Sequence, residues 1–150
     1  MTSSDKNPEQ AVLDHLGIAV GSLAEAVKFY EQALGLKVTG YEVIPHEKTR
    51  VAMLALGECR IELLEPTAPD SPIARFLAKR GPGLHHICLR VPDLEAAVAR
   101  LKQHGIQLIN PEPSIGAGGH RYVFVHPASA GGLLLELAQA PSVKPLDAAG

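Results

Sequence analysis

Positive charge, cysteine and long apolar segments are all scarce in this sequence. Its 150 residues carry 14 Lys and Arg against 16 Asp and Glu, a formal net charge of −2. A chain without surplus cations is poorly suited to bind the phosphates of a nucleic acid or an acidic membrane surface. No stretch approaches the roughly 18 apolar residues of a membrane span, and the N-terminal MTSSDKNPEQ lacks the basic start and apolar run of a secretory signal. We therefore expect a cytoplasmic protein whose partner is a small molecule.

The two cysteines, Cys59 and Cys88, are far apart and form no CxxC pair. That pattern is typical of a reducing compartment, so we expect both to be free thiols. Apolar residues make up 46% of the chain, which is enough for one domain with its own core. We place that single domain at residues 11–140 and expect flexible tails at 1–10 and 141–150, because these ends are polar or rich in Ala, Pro and Gly.

An internal repeat organises the domain. A shift of 71 residues aligns LDHLGIAVGSLAEAVKFYEQ (13–32) with LHHICLRVPDLEAAVARLKQ (84–103), and seven of the 20 aligned pairs are identical. A repeat of this length is half a domain, so the chain contains two copies of one unit. We define module one as about 11–66 and module two as about 83–140, and we expect a pseudo-twofold axis between them.

Each copy starts with a strand and continues as a helix. Ser22 and Asp93 are suitable N-cap residues, apolar residues then recur at helical spacing, and Gly35 and Gly105 end the two helices. Glu25 is placed to complete a capping box with Ser22.

A third helix is predicted over 71–80, between the modules, because Ser71 is a suitable N-cap and Pro72 fits the first helical position. β-Rich segments follow the two main helices at 36–44, 50–56, 59–64, 106–109, 121–126 and 132–138. With the two opening strands they make about eight strands. The sequence thus predicts an α+β fold of two βαβββ-type modules, whose curled mixed β-sheet encloses a cavity.

Four residues of the strands are candidate metal ligands. Alternation places His15 and His86 on the strand face opposite the apolar residues that the helices must cover. Glu62 and Glu136 lie between apolar neighbours in RIELL and LLELA, where an unpaired buried carboxylate would be costly. The histidines are 71 residues apart and the glutamates 74, so the four form two symmetry-related pairs. Such a mixed N/O set suits Zn, Co, Mn, Ni or Fe.

Each of these residues has an ordinary structural interpretation. A single strand histidine is more often structural than a ligand, and a single strand glutamate more often faces solvent; the repetition is what favours a site. His85 competes with His86 for the ligand position, but only His86 is in register with His15. His104 lies at a predicted helix end, where a cation suits the helix dipole, so we expect a structural role for it.

Four segments carry a family resemblance: LDHLGIAV, RVAMLALGECRIELLEP, DSPIARFLAKRGPGLHHICLRV and IGAGGHRYVFVHPASAGGLLLEL. The combination of DSPI…FL…HHIC with HP…GG.L.EL is the specific part. Over about residues 11–140 the chain thereby resembles the vicinal oxygen chelate superfamily, and within it the methylmalonyl-CoA epimerases. The resemblance implies the vicinal oxygen chelate fold, a homodimer and one divalent metal ion, Co, Zn, Mn or Ni. The ligands that it implies are His15, Glu62, His86 and Glu136.

The activity implied by this resemblance is interconversion of (2R)- and (2S)-methylmalonyl-CoA by 1,1-proton transfer through a metal-stabilised enolate. A carboxylate with a pKa of about 4.3 cannot remove the proton next to a thioester unless the enolate is stabilised. One family base corresponds to Glu136. The other lies in a Pro-Glu-Gln-like stretch, where this chain has His46 at the aligned position and Glu47 beside it. Glu47 can act only if this segment is a loop or carries a bulge; the alternatives are His46, or a solvated loop without a role.

The sequence leaves more than one interpretation of the substrate contacts and of the function. The GAGGH loop at 116–120 either approaches a ligand with its backbone or is a plain hairpin turn. Lys79, Arg80 and Arg121 are candidates to meet the phosphates of an acyl-CoA. Three other functions occur on the same fold. The HP…GG ending disfavours a glyoxalase I-like isomerase acting on a glutathione hemithioacetal. The four candidate ligands disfavour a non-catalytic binding module, and the short chain disfavours a ring-cleaving dioxygenase.

Overall fold

The structure, a computed structural model, describes residues 10–141. The predicted tails therefore lie outside the described residues, apart from residues 10 and 141. The elements are β1 (Val12–Ala19), α1 (Leu23–Val27), β2 (Val38–Ile44), β3 (Thr49–Leu56), β4 (Cys59–Pro66), α2 (Pro72–Arg80), β5 (Gly83–Arg90), α3 (Leu94–Gln103), β6 (Ser114–Ile115), β7 (Arg121–Val125) and β8 (Leu135–Gln139). Within this range, no helix is long and apolar enough to cross a membrane.

All eight strands form one curled mixed sheet, in the order β2-β3-β4-β1-β5-β8-β7-β6. β1 runs parallel to β4, and β5 runs parallel to β8, while β1 and β5 pair with each other in antiparallel fashion. The strand order of the second half is thus the mirror image of the first about the β1–β5 pair, which we call the module seam. The predicted fold class, two repeated modules in one mixed sheet, is confirmed.

The helix boundaries follow the predicted caps. The side chains of Ser22, Ser71 and Asp93 accept hydrogen bonds from backbone N–H groups of the first turns. The capping box is not formed, because the Glu25 carboxylate pairs with Lys28 at 3.3 Å. Helix α1 is also shorter than expected: residues Lys28–Ala33 continue as a π-helix, with the Leu34 N–H donating to the Phe29 carbonyl at 3.0 Å.

The strand predicted at 106–109 is reduced to an isolated bridge to β7. Only Leu108 forms a β-bridge there, to Val125, and the strand that pairs with the outer side of β7 is the short β6. The Asn110 side chain interrupts the ladder, because its Oδ1 accepts the Phe124 N–H at 2.7 Å and its Nδ2 donates to the Tyr122 carbonyl at 3.1 Å. Pro111 and Pro113 then offer no N–H for strand pairing.

The two faces of the sheet have different partners. On one face, α1 covers a cluster containing Leu23, Leu54 and Leu63, and α3 covers the equivalent cluster containing Leu94 and Val123. Each buried leucine of this kind contributes about 1.5–3 kcal/mol through apolar burial. The opposite, concave face carries smaller clusters at each end and leaves a cavity between the modules.

Candidate functional site

The cavity on the concave face has a volume of about 370 Å³, within the range expected of small-molecule sites. Strands of both modules line it, and helix α2 closes one side through Pro72 and Ile73. All six candidate site residues line the cavity: His15, His46, Glu47, Glu62, His86 and Glu136. The topology therefore gathers residues that are up to 121 positions apart in the chain.

Three of the four candidate ligands meet at one point beside the module seam. The Nε2 atoms of His15 and His86 are 3.0 Å apart. The Glu136 Oε1 atom lies 3.0 Å from Nε2 of His86 and 3.4 Å from Nε2 of His15. All three side chains are buried, and their ligand atoms could bind one ion. We call these three residues the ligand cluster.

The fourth candidate, Glu62, lies beside the ligand cluster. Its Oε2 accepts hydrogen bonds from the Arg60 guanidinium, at 2.8 Å from Nε, and stands 3.3 Å from Nδ1 of His15. It thus faces the other nitrogen of the imidazole, not the Nε2 that points into the cluster. Asp14 occupies the same side, with Oδ2 at 2.8 Å from the His15 Nδ1.

Acidic groups surround His15 and favour a positive charge at this place. Burial lowers the pKa of His15, but hydrogen bonds to Asp14, Cys88 and Glu136 outweigh it and raise the pKa to about 12. Burial likewise opposes ionisation of Glu136, yet His15 and His86 bring its pKa down to about 2. With His15 neutral, the negative charges of Asp14, Glu62 and Glu136 would outnumber the positive charges of the neighbouring arginines. A bound cation fits that imbalance as well as the proton on His15 does.

His85 and His104 do not belong to the ligand cluster. Nδ1 of His85 lies 2.8 Å from Nδ1 of His86, so it touches the far side of that ring, and its own ring packs against Phe76. Burial and the neighbouring His86 lower the pKa of His85 to about 4, which keeps it neutral. His104 stands at the C-terminal cap of α3, where its N–H donates to carbonyls of the last turn.

His46 and Glu47 sit together on a single 3₁₀ turn, Pro45–Glu47, ahead of β3. The segment is thus a turn and not a regular strand, which is the condition under which Glu47 can face the cavity. Its Oε1 accepts a hydrogen bond from the Tyr122 hydroxyl, and Nε2 of His46 lies 3.4 Å from the same hydroxyl. Burial raises the pKa of Glu47, and the charge of Glu136 raises it further, while the Tyr122 hydrogen bond lowers it.

The GAGGH loop forms a 3₁₀ turn, Ala117–Gly119, and borders the cavity. The Gly118 N–H donates to Glu42 of β2 at 2.8 Å, which ties the loop to the edge of module one. Of the three basic residues considered for a phosphate, Arg121 pairs with Glu95 of α3, and Arg80 lies over the Phe76 ring at 5.8 Å. Lys79 is in the last turn of α2.

The site also contains residues that the sequence did not reveal, among them Asp14, Gly17 and Tyr122. A Cβ on Gly17 would lie 2.1 Å from Cε1 of His86, so only glycine leaves room for that ring. The signal for Gly17 was available, because strand alternation puts it on the face of His15. For Asp14 alternation gave the opposite face, and a register shift between Leu13 and His15 explains why it reaches His15.

The chain matches a known protein superfamily over most of its length. Residues 14–124 match the glyoxalase/bleomycin resistance protein/dioxygenase superfamily. That range covers most of the chain and includes strands of both modules. The chain therefore belongs to this superfamily.

Its relatives narrow the assignment. Human mitochondrial methylmalonyl-CoA epimerase is 43% identical over 129 residues, covering 85% of this chain and 73% of that protein. Ethylmalonyl-CoA/methylmalonyl-CoA epimerase of Cereibacter sphaeroides is 41% identical, with 85% and 96% covered. A solved methylmalonyl-CoA epimerase in complex with methylmalonyl-CoA and NH4+ superposes with a TM-score of 0.85 at 36% identity, covering 89% of this chain and 97% of that one. Within the superfamily, this chain is a member of the methylmalonyl-CoA epimerase family.

Proposed function

We propose that the protein is a metal-dependent epimerase that interconverts (2R)- and (2S)-methylmalonyl-CoA by 1,1-proton transfer. The observation that carries the proposal is the convergence of the ligand cluster and a separate carboxylate, Glu47, in one cavity between the modules. Exchange of a proton between the two faces of a carbon needs one acid–base group on each side. The cavity offers Glu136 and Glu47 for these roles.

The proposed metal ligands are His15, His86, Glu136 and Glu62. Support comes from the short distances within the ligand cluster and from its excess of acidic groups. Co, Zn, Mn and Ni all accept two imidazoles with carboxylates, so the donor set does not select among them. One such divalent ion would supply Lewis-acid stabilisation of the negative charge that develops on the substrate oxygens.

The chain's own groups would handle the proton. Oε1 of Glu136 lies within 3.4 Å of Nε2 of both cluster histidines. With the ion bound, this oxygen would be a ligand, and the other oxygen would be left for a proposed role at one face of the substrate. Glu47 would act from the other side; its raised pKa makes it a stronger base than an exposed glutamate. His46 is the alternative base, since it occupies the same turn and also borders the cavity.

The decisive measurement is proton–deuteron exchange at C2 of methylmalonyl-CoA in D2O, with and without a chelator. We expect exchange that the chelator abolishes and that added divalent metal restores. Glu47→Gln is expected to slow epimerisation by about a hundredfold or more, whereas His46→Ala should have a smaller effect. Turnover of methylglyoxal with glutathione, without exchange on the acyl-CoA, would refute the proposal and favour a glyoxalase I-like function.

A homodimer and a cytoplasmic location complete the proposal. Val12 and Leu13 on the central strand β1 are exposed at 45% and 41%, as expected of residues that a second copy covers. Both cysteines are unpaired thiols, which is in keeping with a reducing compartment. Sedimentation of the purified protein at the mass of one chain would refute the dimer.

A further inference from the structure

The hydrogen-bond donor to the Glu47 carboxylate comes from the opposite module. Tyr122 lies on β7 of module two, is only 6% exposed and borders the cavity. Its hydroxyl donates to Oε1 of Glu47, which belongs to module one. The same hydroxyl is 3.4 Å from Nε2 of His46. Because the hydroxyl gives its proton to Glu47, its oxygen can still accept a hydrogen bond from an N–H of His46. His46, Tyr122 and Glu47 thus form a three-membered chain of side chains across the cavity, which we call the cross-module chain.

Packing holds the Tyr122 ring in this position. The ring makes an edge contact with Phe124 at 5.5 Å, and Phe124 in turn makes an edge contact with the His86 ring at 5.5 Å. On its other side the ring lies so close to Gly116 that a Cβ there would be 3.0 Å from Cε1. The orientation of the hydroxyl is therefore fixed relative to the ligand cluster through one intervening aromatic ring.

We propose that Tyr122 is a positioning residue of the reaction, whose hydroxyl, oriented by His46, holds the Glu47 carboxylate at one face of the substrate carbon. This inference rests on the proposed function. A glutamate side chain has three rotatable bonds, and the hydrogen bond across the modules holds that of Glu47 in one orientation. Burial and the charge of Glu47 raise the pKa of Tyr122, so that the hydroxyl keeps its proton and remains a donor.

The role predicts a one-sided defect. Tyr122→Phe keeps the ring packing and removes only the hydroxyl, so the face served by Glu136 should be unaffected. Deuterium incorporation at C2 is measured separately from each epimer, at early times in D2O, with the metal-loaded full-length protein. We expect the variant to slow exchange from one epimer by about tenfold or more, the value of a hydrogen bond to a charged group, and to leave the other epimer nearly unchanged.

Two comparisons separate positioning from a structural effect. Adding Tyr122→Phe to Glu47→Gln should cause no further loss, because the hydroxyl acts through a carboxylate that is already absent. Tyr41→Phe removes a hydroxyl from a tyrosine that is 60% exposed outside the cavity and should change neither epimer. Equal loss for both epimers, no loss for either, or an additive loss in the double variant would overturn the inference.

A measurement without turnover distinguishes failure of the inference from failure of the proposed function. Glu47 faces Tyr122, Glu136, His46 and His86, and among these Tyr122 is the neutral donor that favours its ionised form. Carbon-13 NMR of the glutamate carboxyls should therefore show the Glu47 titration at higher pH in Tyr122→Phe than in the parent protein. An unchanged titration would overturn the inference, even if the protein exchanged no proton of methylmalonyl-CoA; absence of exchange by the parent protein alone would refute only the proposed function.

Discussion

At the scale of single residues, Gly17 has the most restricted position beside the ligand cluster. It pairs with His86 across the module seam, and a Cβ would overlap the imidazole. Gly17→Ala must therefore displace the His86 ring, at a cost of about 1–3 kcal/mol for overpacking. We expect the variant to fold with a lower melting temperature and to bind divalent metal at least about tenfold more weakly.

The matched control for this substitution is Gly21→Ala, because nothing lies within 4 Å of a Cβ at that position. Metal titration followed by calorimetry, together with thermal melts of both variants, provides the test. Parental metal affinity in Gly17→Ala would show that the His86 ring is free to move and is not held as described.

Glu47 combines a proposed catalytic role with a cost in stability. Its pKa is raised above the ordinary 4.5 by burial and by Glu136, so the folded protein binds this proton more tightly than the unfolded chain does. Ionisation of Glu47 therefore removes stability as the pH rises above 4.5, and removes it in full above the folded pKa. Glu47→Gln is expected to raise the melting temperature of the metal-free protein at about pH 7 and to have almost no effect at about pH 4.

Glu58→Gln serves as the comparison, since Glu58 is exposed on the turn between β3 and β4. It should leave the melting temperature unchanged at both values of pH. An equal rise for Glu47→Gln at both values would mean that the gain comes from packing and not from ionisation.

Tyr122 shows why part of the site escapes prediction from sequence. The repeat revealed residues that recur in both modules, such as His15 and His86. The position of Tyr122 in module one is held by Val51, which pairs with Leu64 as Tyr122 pairs with Ala138. A side chain that occurs in only one copy leaves no signal in an internal comparison, however central its position in the cavity.

At the scale of elements, the repeat extends to how each helix is attached to its sheet. The Leu23 N–H at the start of α1 donates to Glu65 of β4 at 2.6 Å, and the Leu94 N–H at the start of α3 donates to Gln139 of β8 at 2.7 Å. These acceptors are 74 residues apart, like Glu62 and Glu136. Each final strand therefore carries a cavity residue and, three positions later, an acceptor for its own helix.

Gln139→Ala is accordingly expected to destabilise the protein by about 1 kcal/mol, because it leaves a donor at the start of α3 without its partner. Gln103→Ala removes the same side chain from the exposed end of α3 and should change stability by less than about 0.5 kcal/mol. Urea unfolding midpoints measure both variants. Equal effects would show that the attachment contributes nothing.

The elements differ in how far sequence could predict them. Caps at Ser22, Ser71 and Asp93 act within a few residues and were predicted correctly. The π-helical segment Lys28–Ala33 was not predicted. In a π-helix the donor and acceptor of each backbone hydrogen bond are five residues apart instead of four, and this change has no signature in the composition. The strand predicted at 106–109 is only a bridge, because the Asn110 side chain accepts the Phe124 N–H in place of a strand backbone. The spacing of apolar residues gives no sign of such a side-chain bond.

At the scale of the whole molecule, each module supplies half of the proposed metal site. His15 and Glu62 come from module one, and His86 and Glu136 from module two. A bound ion would link the modules and should stabilise the folded state according to its free concentration and affinity. We expect chelation to lower the melting temperature, and addition of Co, Zn, Mn or Ni to restore it. His86→Ala should abolish this response, whereas His104→Ala, at the cap of α3, should retain it.

The module seam has a consequence for the protein's origin. Neither half of the chain can bring the two imidazoles together, because one comes from each side of the β1–β5 pair. A polypeptide with only one module would have to associate with an identical molecule to assemble the same pocket. Fusion of two such genes would then have allowed the copies to diverge. In an assembly of identical molecules every substitution occurs on both sides, so an unequal pair such as Tyr122 and Val51 requires the two modules to be in one chain.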